Sequence, residues 1–438
     1  MRNKTVWGKI LALGLIASSL LYFLICQSED FGKNMEFRVR DSADYRVLAE
    51  HFFGIPHDKL LYENYFIGDF SSYLDKVPFR GLLPGSYVLL LAKAVEWIYP
   101  SWGNYGPEFR ILYASLLKLF LVITYYTFYV VCARRFGVMV GLFLLLPLVL
   151  PLSAWSFTEG LWLAEPMLRI AFVWMAIMLL SIERGTNTFF KYVLWVLILC
   201  VLAAHMKAQW FLLSFMMFAA ALCAVGAYTI SIKKLAVLAF VTLIAPASIF
   251  LVNIWGWDYY GISAGSSMHA QHKTDGDFMR TVCQQPVSDD ISIFCNRNED
   301  EVNGFWRVYV GKGTTKENFS ALDKKSIPYF LDNIRWSLDD VKFALSQAQA
   351  FFDYDDRLKP VVHMLTYMTW AMLFIGMLHW KTVLPATLGL GLWVIPAWCN
   401  IFALFDIRYY TFTTGIPLML AMIVTYEFYV LYRGKYAT

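Results

Sequence analysis

Apolar runs about 20 residues long recur along this chain, and each is the length a helix needs to cross the hydrocarbon core of a bilayer. They cover roughly 7–26, 108–132, 138–157, 163–181, 190–206, 209–228, 235–255, 361–379, 382–402 and 409–431. In lipid every backbone N–H and C=O must be paired within its own segment, so runs of this kind fold as helices. The expected fold is therefore an all-α membrane protein with about ten crossings, nine to eleven being compatible with the runs. With 58% of the 438 residues hydrophobic and only 16% charged, a soluble chain could not cover its apolar surface. The first run, "WGKILALGLIASSLLYFLIC", follows the basic start "MRNK" and has no small-x-small cleavage site behind it. It reads as a retained anchor rather than a cleaved signal peptide. The net charge of +4 is too mild to point to nucleic acid.

Basic residues sort the loops. With "MRNK" inside, the inner loops become "ARRFG" (133–137), "IERGTNTFFK" (182–191), "SIKK" (231–234) and "HWK" (379–381), and the tail "YRGKYAT" also ends inside. All are short and basic, as cytoplasmic loops are, so both termini are expected to be cytoplasmic. The segment 82–100, "LLPGSYVLLLAKAVEWIYP", carries Lys93 and Glu96 in mid-run, and a full crossing there would put "ARRFG" outside. It is expected as a juxtamembrane or half-inserted helix on the outer side. The outer side then receives a first loop (27–107) and a late, polar loop (256–360). The chain divides accordingly into a transmembrane module (1–255) holding the first loop, an extracytoplasmic loop domain (256–360) and C-terminal transmembrane helices (361–438). There is no internal repeat and no low-complexity tract.

Cys26, Cys132, Cys200, Cys223 and Cys399 sit in or beside apolar runs, where a thiol is usually a small hydrophobe. Cys283 and Cys295 share the polar late loop, and in an oxidising compartment a disulfide between them is the natural expectation.

Four charged clusters fall where a helix should meet the outer leaflet. Asp41 and Asp44 stand in "FRVRDSADYRVLAEHF", and Glu159 and Glu165 in "SFTEGLWLAEPMLRI". His205, Lys207 and Gln209 lie in "AAHMKAQWF", and Asp406 and Arg408 in "LFDIRYY". Ionisable groups at such positions are costly unless paired, solvated or used, which makes them site candidates. Taken singly each has a plainer use. A lone Lys or Arg can snorkel to headgroups, Asp44 can cap the helix "YRVLAEHFF", and Glu159 can be a solvated loop residue. His205, His269 and His272 can pack or solvate, and none has the spacing of a metal motif such as HExxH. Together, however, acids and bases from distant segments reach one depth on one side.

In this arrangement the chain resembles the GT-C membrane glycosyltransferases. Their first outer loop carries an acidic motif in which Asp precedes Tyr by four residues; "DSADYRVLAEHF" fits with Asp41 and Tyr45. "KVPFRGLLPGSYVLLLAK", which begins at Lys76 and contains Arg80, resembles the family's Pro-rich re-entrant stretch. "AEPMLRIAFVWMAIMLL" resembles its Glu-Pro helix start, and "FDIRYYTFTTGIPLML" the Arg-Tyr start of its terminal helix. The Lys-x-Gln of "HMKAQWFLL" is similar to that of prophage-type O-antigen glucosyltransferases.

The resemblance implies a GT-C-like bundle in a bacterial inner membrane, with its active site on the periplasmic face. It also implies inverting transfer of a sugar from a polyprenyl-phosphate donor to a glycan or protein acceptor. Asp41 would be the general base, with Asp44 left open because Ser42 follows Asp41 where an Asp-Glu pair is common. Lys207 and Arg408 would meet the donor phosphate, with Lys76 and Arg80 as secondary cations. Glu165 would orient the acceptor or a cation, and Tyr45, Glu159, His205, Gln209 and Tyr409 would face substrate. Some members use a divalent ion, though no ligand spacing stands out here. Glucose onto an O-antigen and arabinofuranose onto a pilin are both compatible. A flippase would instead need ionisable groups near the midplane and paired repeats, and a lipid-linked oligosaccharide ligase or polymerase lacks the early Asp motif as its main feature.

Overall fold

The computed structural model describes residues 2–27, 48–55, 81–100, 107–149, 164–182, 186–228, 230–261, 277–295, 315–333, 359–402, 413 and 415–436. Its helices are α1 (Arg2–Gln27), α2 (Leu82–Ile98), α3 (Pro107–Phe136), α4 (Val138–Val149), α5 (Ala164–Leu180), α6 (Thr186–Met206), α7 (Phe211–Tyr228) and α8 (Ile232–Trp257). They continue with α9 (Asp277–Cys283), α10 (Asp289–Cys295), α11 (Lys316–Asn333), α12 (Lys359–Gly376), α13 (Val383–Phe402) and α14 (Ile416–Tyr436). A short helical turn covers 48–52, and no strand occurs among the described residues.

Each apolar run contains a helix, and among the described residues five stretches are long and apolar enough to cross a membrane on length and composition alone. These are Ser115–Phe136, Thr186–Met206, Ala208–Val225, Ile232–Trp257 and Ile416–Arg433. The chain is thus an all-helical membrane protein whose environment is a lipid bilayer. Shorter apolar helical stretches, Val6–Leu21, Val138–Val149, Met364–Gly376 and Val383–Pro396, accompany them among the described residues.

A continuous core of fully buried side chains, among them Tyr125, Leu145, Phe172, Trp210 and Leu388, joins these helices. α5 packs against α3 and α6, α6 against α7 and α8, and α13 against α7 and α14. The two ends of the bundle differ. At one end Arg135, in the last turn of α3, donates to Leu180 O at the end of α5 (2.5 Å) and pairs with Glu427 of α14 (2.7 Å). There too Thr186, at the start of α6, donates to Tyr228 O at the end of α7 (2.7 Å). At the opposite end the last turn of α6 meets the start of α5, and the start of α14 meets the end of α4. Gly415, with φ +77°, lies so close to Pro147 O that a Cβ would come within 1.9 Å of it, which makes glycine necessary for both conformation and space.

α2 belongs wholly to this second end. A Cβ on Gly81, just before it, would come within 2.1 Å of Met206 O. Its Val88, Ala92 and Val95 pack on Phe109, Tyr113 and Leu117 from the first turns of α3. Gly81→Ala is expected to cost about 1–3 kcal/mol, the range for overpacking a closed contact. Gly14→Ala, where nothing lies within 4 Å of the added carbon, should leave stability unchanged or slightly raised. Thermal unfolding in detergent measures both, and a Gly81→Ala protein as stable as the parent would mean that α2 is not held tightly against α6.

The late loop contributes a small helical lobe. Phe278, Met279, Val282, Ile291, Phe294, Phe319 and Leu322 from α9, α10 and α11 bury one another together with Trp257, Tyr259 and Leu48. Cys283 and Cys295 are bonded, with sulfurs 2.05 Å apart and Cα atoms 5.4 Å apart. The Tyr259 hydroxyl donates to Asp323 Oδ2 at 3.0 Å. Burial pushes this phenol's pKa up, and the neighbouring Asp323 carboxylate adds to the effect. Because the disulfide closes a loop with a sequence separation of 12, replacing both cysteines by serine should destabilise the lobe by about 3 kcal/mol. Limited proteolysis should then cut within 277–333 while α6, α7 and α8 remain protected; an unchanged cleavage pattern would show that the bond adds nothing to the lobe.

Candidate functional site

The residues that come together at the second end start from two chain interruptions. α5 opens on Ala164-Glu165-Pro166, where the proline sits in the first turn, the part of a helix that needs no N–H from it. Glu165 in that turn also faces the positive end of the helix dipole. α6 stops at Met206, and Lys207 takes an extended conformation (φ −145°, ψ 120°) before the 3₁₀ turn Ala208–Trp210. The turn is closed by Trp210 N–H donating to Lys207 O at 3.1 Å, and the Trp210 ring packs 4.6 Å from that of Phe172. The kink turns Lys207 inward.

Lys207 Nζ donates to Glu165 Oε1, joining two elements 42 residues apart in sequence. Glu165 is 4% exposed and Lys207 9%, so both charges are withdrawn from solvent. Burying either alone would cost several kcal/mol, whereas together they are compensated. Among the described residues, Glu165 Oε2 and Gln209 Nε2 are buried without a hydrogen-bond partner. One is an acceptor and the other a donor. Buried polar atoms in a folded protein are normally satisfied, so each of these is a point where something polar can bind.

Arg169 stands one helical turn along α5 from Glu165 and is fully buried. Its Nε donates to the Tyr125 hydroxyl at 2.5 Å and its Nη2 to Leu148 O at 3.3 Å. Leu148 lies in α4, so Arg169 ties α5 to that helix as well as to α3. It also faces the Tyr125 ring, 5.7 Å from the centroid. Arg169 was not singled out in the sequence. The signal available was its i+4 spacing from Glu165 inside an apolar helix, where a buried cation must have a purpose.

Of the sequence candidates, the structure brings together Glu165 and Lys207, with Gln209 in the 3₁₀ turn that follows Lys207. His205 turns to α8, its Nε2 lying 2.8 Å from Ser248 Oγ. Asp41, Asp44, Tyr45, Lys76, Arg80, Glu159, Arg408 and Tyr409 lie outside the described residues. Gly81, just before α2, lies against the carbonyls of His205 and Met206 immediately before Lys207. The turn 48–52, downstream of the Asp41 and Asp44 stretch, is fixed at this same end. His51 Nε2 lies 3.2 Å from Gly256 O, and its ring stacks 5.5 Å from that of Trp257. Among the described residues no group of three or more His, Cys, Asp or Glu is placed to hold a metal ion.

Comparison with protein-family models, curated proteins and solved structures gives no match, so the chemistry of this cluster is judged on its own geometry.

Proposed function

We propose that this chain is an inverting membrane glycosyltransferase of the GT-C type, moving a sugar from a polyprenyl-phosphate carrier to a glycan or protein acceptor on the outer face of a bacterial inner membrane. On this reading the chain crosses about ten times, the shorter apolar helices completing the set. The end carrying Arg134, Arg135, Lys233, Lys234 and Lys381 is cytoplasmic, as the positive-inside rule requires. The disulfide-bearing lobe and α2 then cover the outer end.

The observation that carries the proposal is the buried Glu165–Lys207 pair, in which Glu165 Oε2 has no hydrogen-bond partner among the described residues. A purely structural pair would be expected to have its remaining atoms satisfied. Among the described residues this carboxylate oxygen stays open as an acceptor, which suits a sugar hydroxyl that gives it a hydrogen bond.

The proposed step uses few groups. Asp41, or Asp44 in its place, takes the proton of the acceptor hydroxyl. The acceptor oxygen bonds to the anomeric carbon from the face opposite the phosphate, the carbon–oxygen bond to phosphate breaks, and its electron pair leaves with the polyprenyl phosphate. Charge grows on that phosphate as the bond breaks, so cations fixed beside it favour the transition state over the ground state. Lys207 and Arg408 supply them, with Lys76 and Arg80 further out. Glu165 holds the Lys207 ammonium in place, so that its charge is fixed on the side from which the phosphate would leave. Tyr45, Glu159, His205 and Tyr409 complete the substrate side.

The test is a transfer assay on membranes containing the chain, with polyprenyl-phosphate hexoses and pentoses labelled in the sugar. Label should leave the lipid for an acceptor, with polyprenyl phosphate released in equal amount. If intact labelled lipid changes sides with no bond broken, the chain is a flippase. If only polyprenyl-diphosphate oligosaccharides are consumed, it is a ligase or polymerase.

A further inference from the structure

We propose that the basic end of the bundle, opposite the glycosyl-transfer site, contains a second binding site whose ligand is an anionic phospholipid, held with its phosphate at Lys381 and an acyl chain inserted between α5, α13 and α14. A cavity of about 590 Å³ opens there, within the size range of small-molecule sites. Its interior is aliphatic, lined by Ala176, Leu179, Leu384, Leu420 and Ile423. Its mouth is polar and aromatic, formed by Trp380, Lys381, Tyr228, Tyr426 and the Arg135–Glu427 pair.

The charges at the mouth are not equivalent. Arg135 spends its donors inside the protein: Nε and Nη2 on Glu427 Oε1 at 3.1 and 2.7 Å, and Nη1 on Leu180 O at 2.5 Å and Ile182 O at 3.3 Å. Glu427 is neutralised by this contact. Lys381 Nζ stands 5.2 Å from the centroid of the Trp380 ring, and among the described residues it makes no hydrogen bond or ion pair. Among the described residues the mouth therefore presents Lys381 as its uncommitted positive charge, its aromatic rings suited to interfacial depth. A free anion would satisfy Lys381 and leave the aliphatic interior empty, and a neutral lipid would fill the interior and leave Lys381 unmet. An anionic phospholipid does both, and basic pockets between helices at the cytoplasmic surface are where such headgroups bind.

The site is independent of the transfer chemistry, so it is tested by binding alone. Protein purified in detergent is titrated with phosphatidylglycerol, phosphatidylcholine or inorganic phosphate, and bound lipid is counted by native mass spectrometry. One phosphatidylglycerol per chain should be retained in preference to phosphatidylcholine, and inorganic phosphate at equal concentration should not displace it. Lys381→Gln should weaken phosphatidylglycerol binding about fivefold, the size of one lysine's interaction with an anionic lipid surface. Lys233→Gln, an exposed basic position at the same end and outside the cavity lining, should leave it unchanged. Equal retention of phosphatidylcholine, displacement by inorganic phosphate, or equal effects of the two substitutions would each overturn the proposal.

Discussion

Asp41→Asn is expected to lower the rate of sugar transfer by about 10²–10⁴, because it keeps the shape of the side chain and removes its proton acceptor. Binding of the labelled polyprenyl-phosphate sugar should largely survive, since in the proposed step cations and not this carboxylate meet the phosphate. Asp44→Asn should be nearly silent if that residue caps the following helix, because Asn caps about as well as Asp. Single-turnover rates at equal membrane expression separate the cases. A fully active Asp41→Asn protein would transfer the base role to Asp44 or Glu165, and an inactive Asp44→Asn protein would mean that the two carboxylates act as a pair.

The second large effect concerns the buried pair. Lys207→Met leaves Glu165 as an uncompensated buried carboxylate and should destabilise the fold by about 3–5 kcal/mol. Glu165→Gln/Lys207→Met removes both charges and should recover most of that stability, since an apolar or neutral replacement of a whole buried pair is often close to neutral. Transfer should be lost in both proteins, because the recovered one still lacks the cation beside the leaving phosphate. Thermal unfolding and transfer rate measured on the same preparations decide the matter. Recovery of transfer along with stability would reduce Lys207 and Glu165 to a structural pair.

Much of the helical architecture could be read from the chain because the information is local. An apolar run of sufficient length must pair its backbone internally, whatever surrounds it. The bonded Cys283–Cys295 pair is local in the same sense, being two cysteines in one polar segment. Sidedness was enough to propose that Glu165 and Lys207 share a depth, but not that Lys207 Nζ meets Glu165 Oε1, which depends on how α5 and α6 pack. Arg169 was missed for a related reason. Attention to charges at helix ends passes over a cation one turn inside, and its partners Tyr125 and Leu148 belong to helices whose proximity no spacing reveals. Nor could the sequence show that Leu48 and Phe52 share a core with the late lobe.

That shared core has a consequence for how the protein is made. His51 and Gly256 are 205 residues apart, and the pocket that receives Leu48 and Phe52 is built from Trp257, Phe278, Phe294 and Phe319. A chain is synthesised from its N-terminus at about 5–20 residues per second, so the segment that follows Asp41 and Asp44 emerges about 10–40 s before its seat begins to exist. Nascent chains that stop before the lobe would retain the acidic residues with nothing to anchor the turn after them. The turn after the acidic residues would therefore find its seat only once the late lobe has been made, so the two ends of this core are joined late in synthesis.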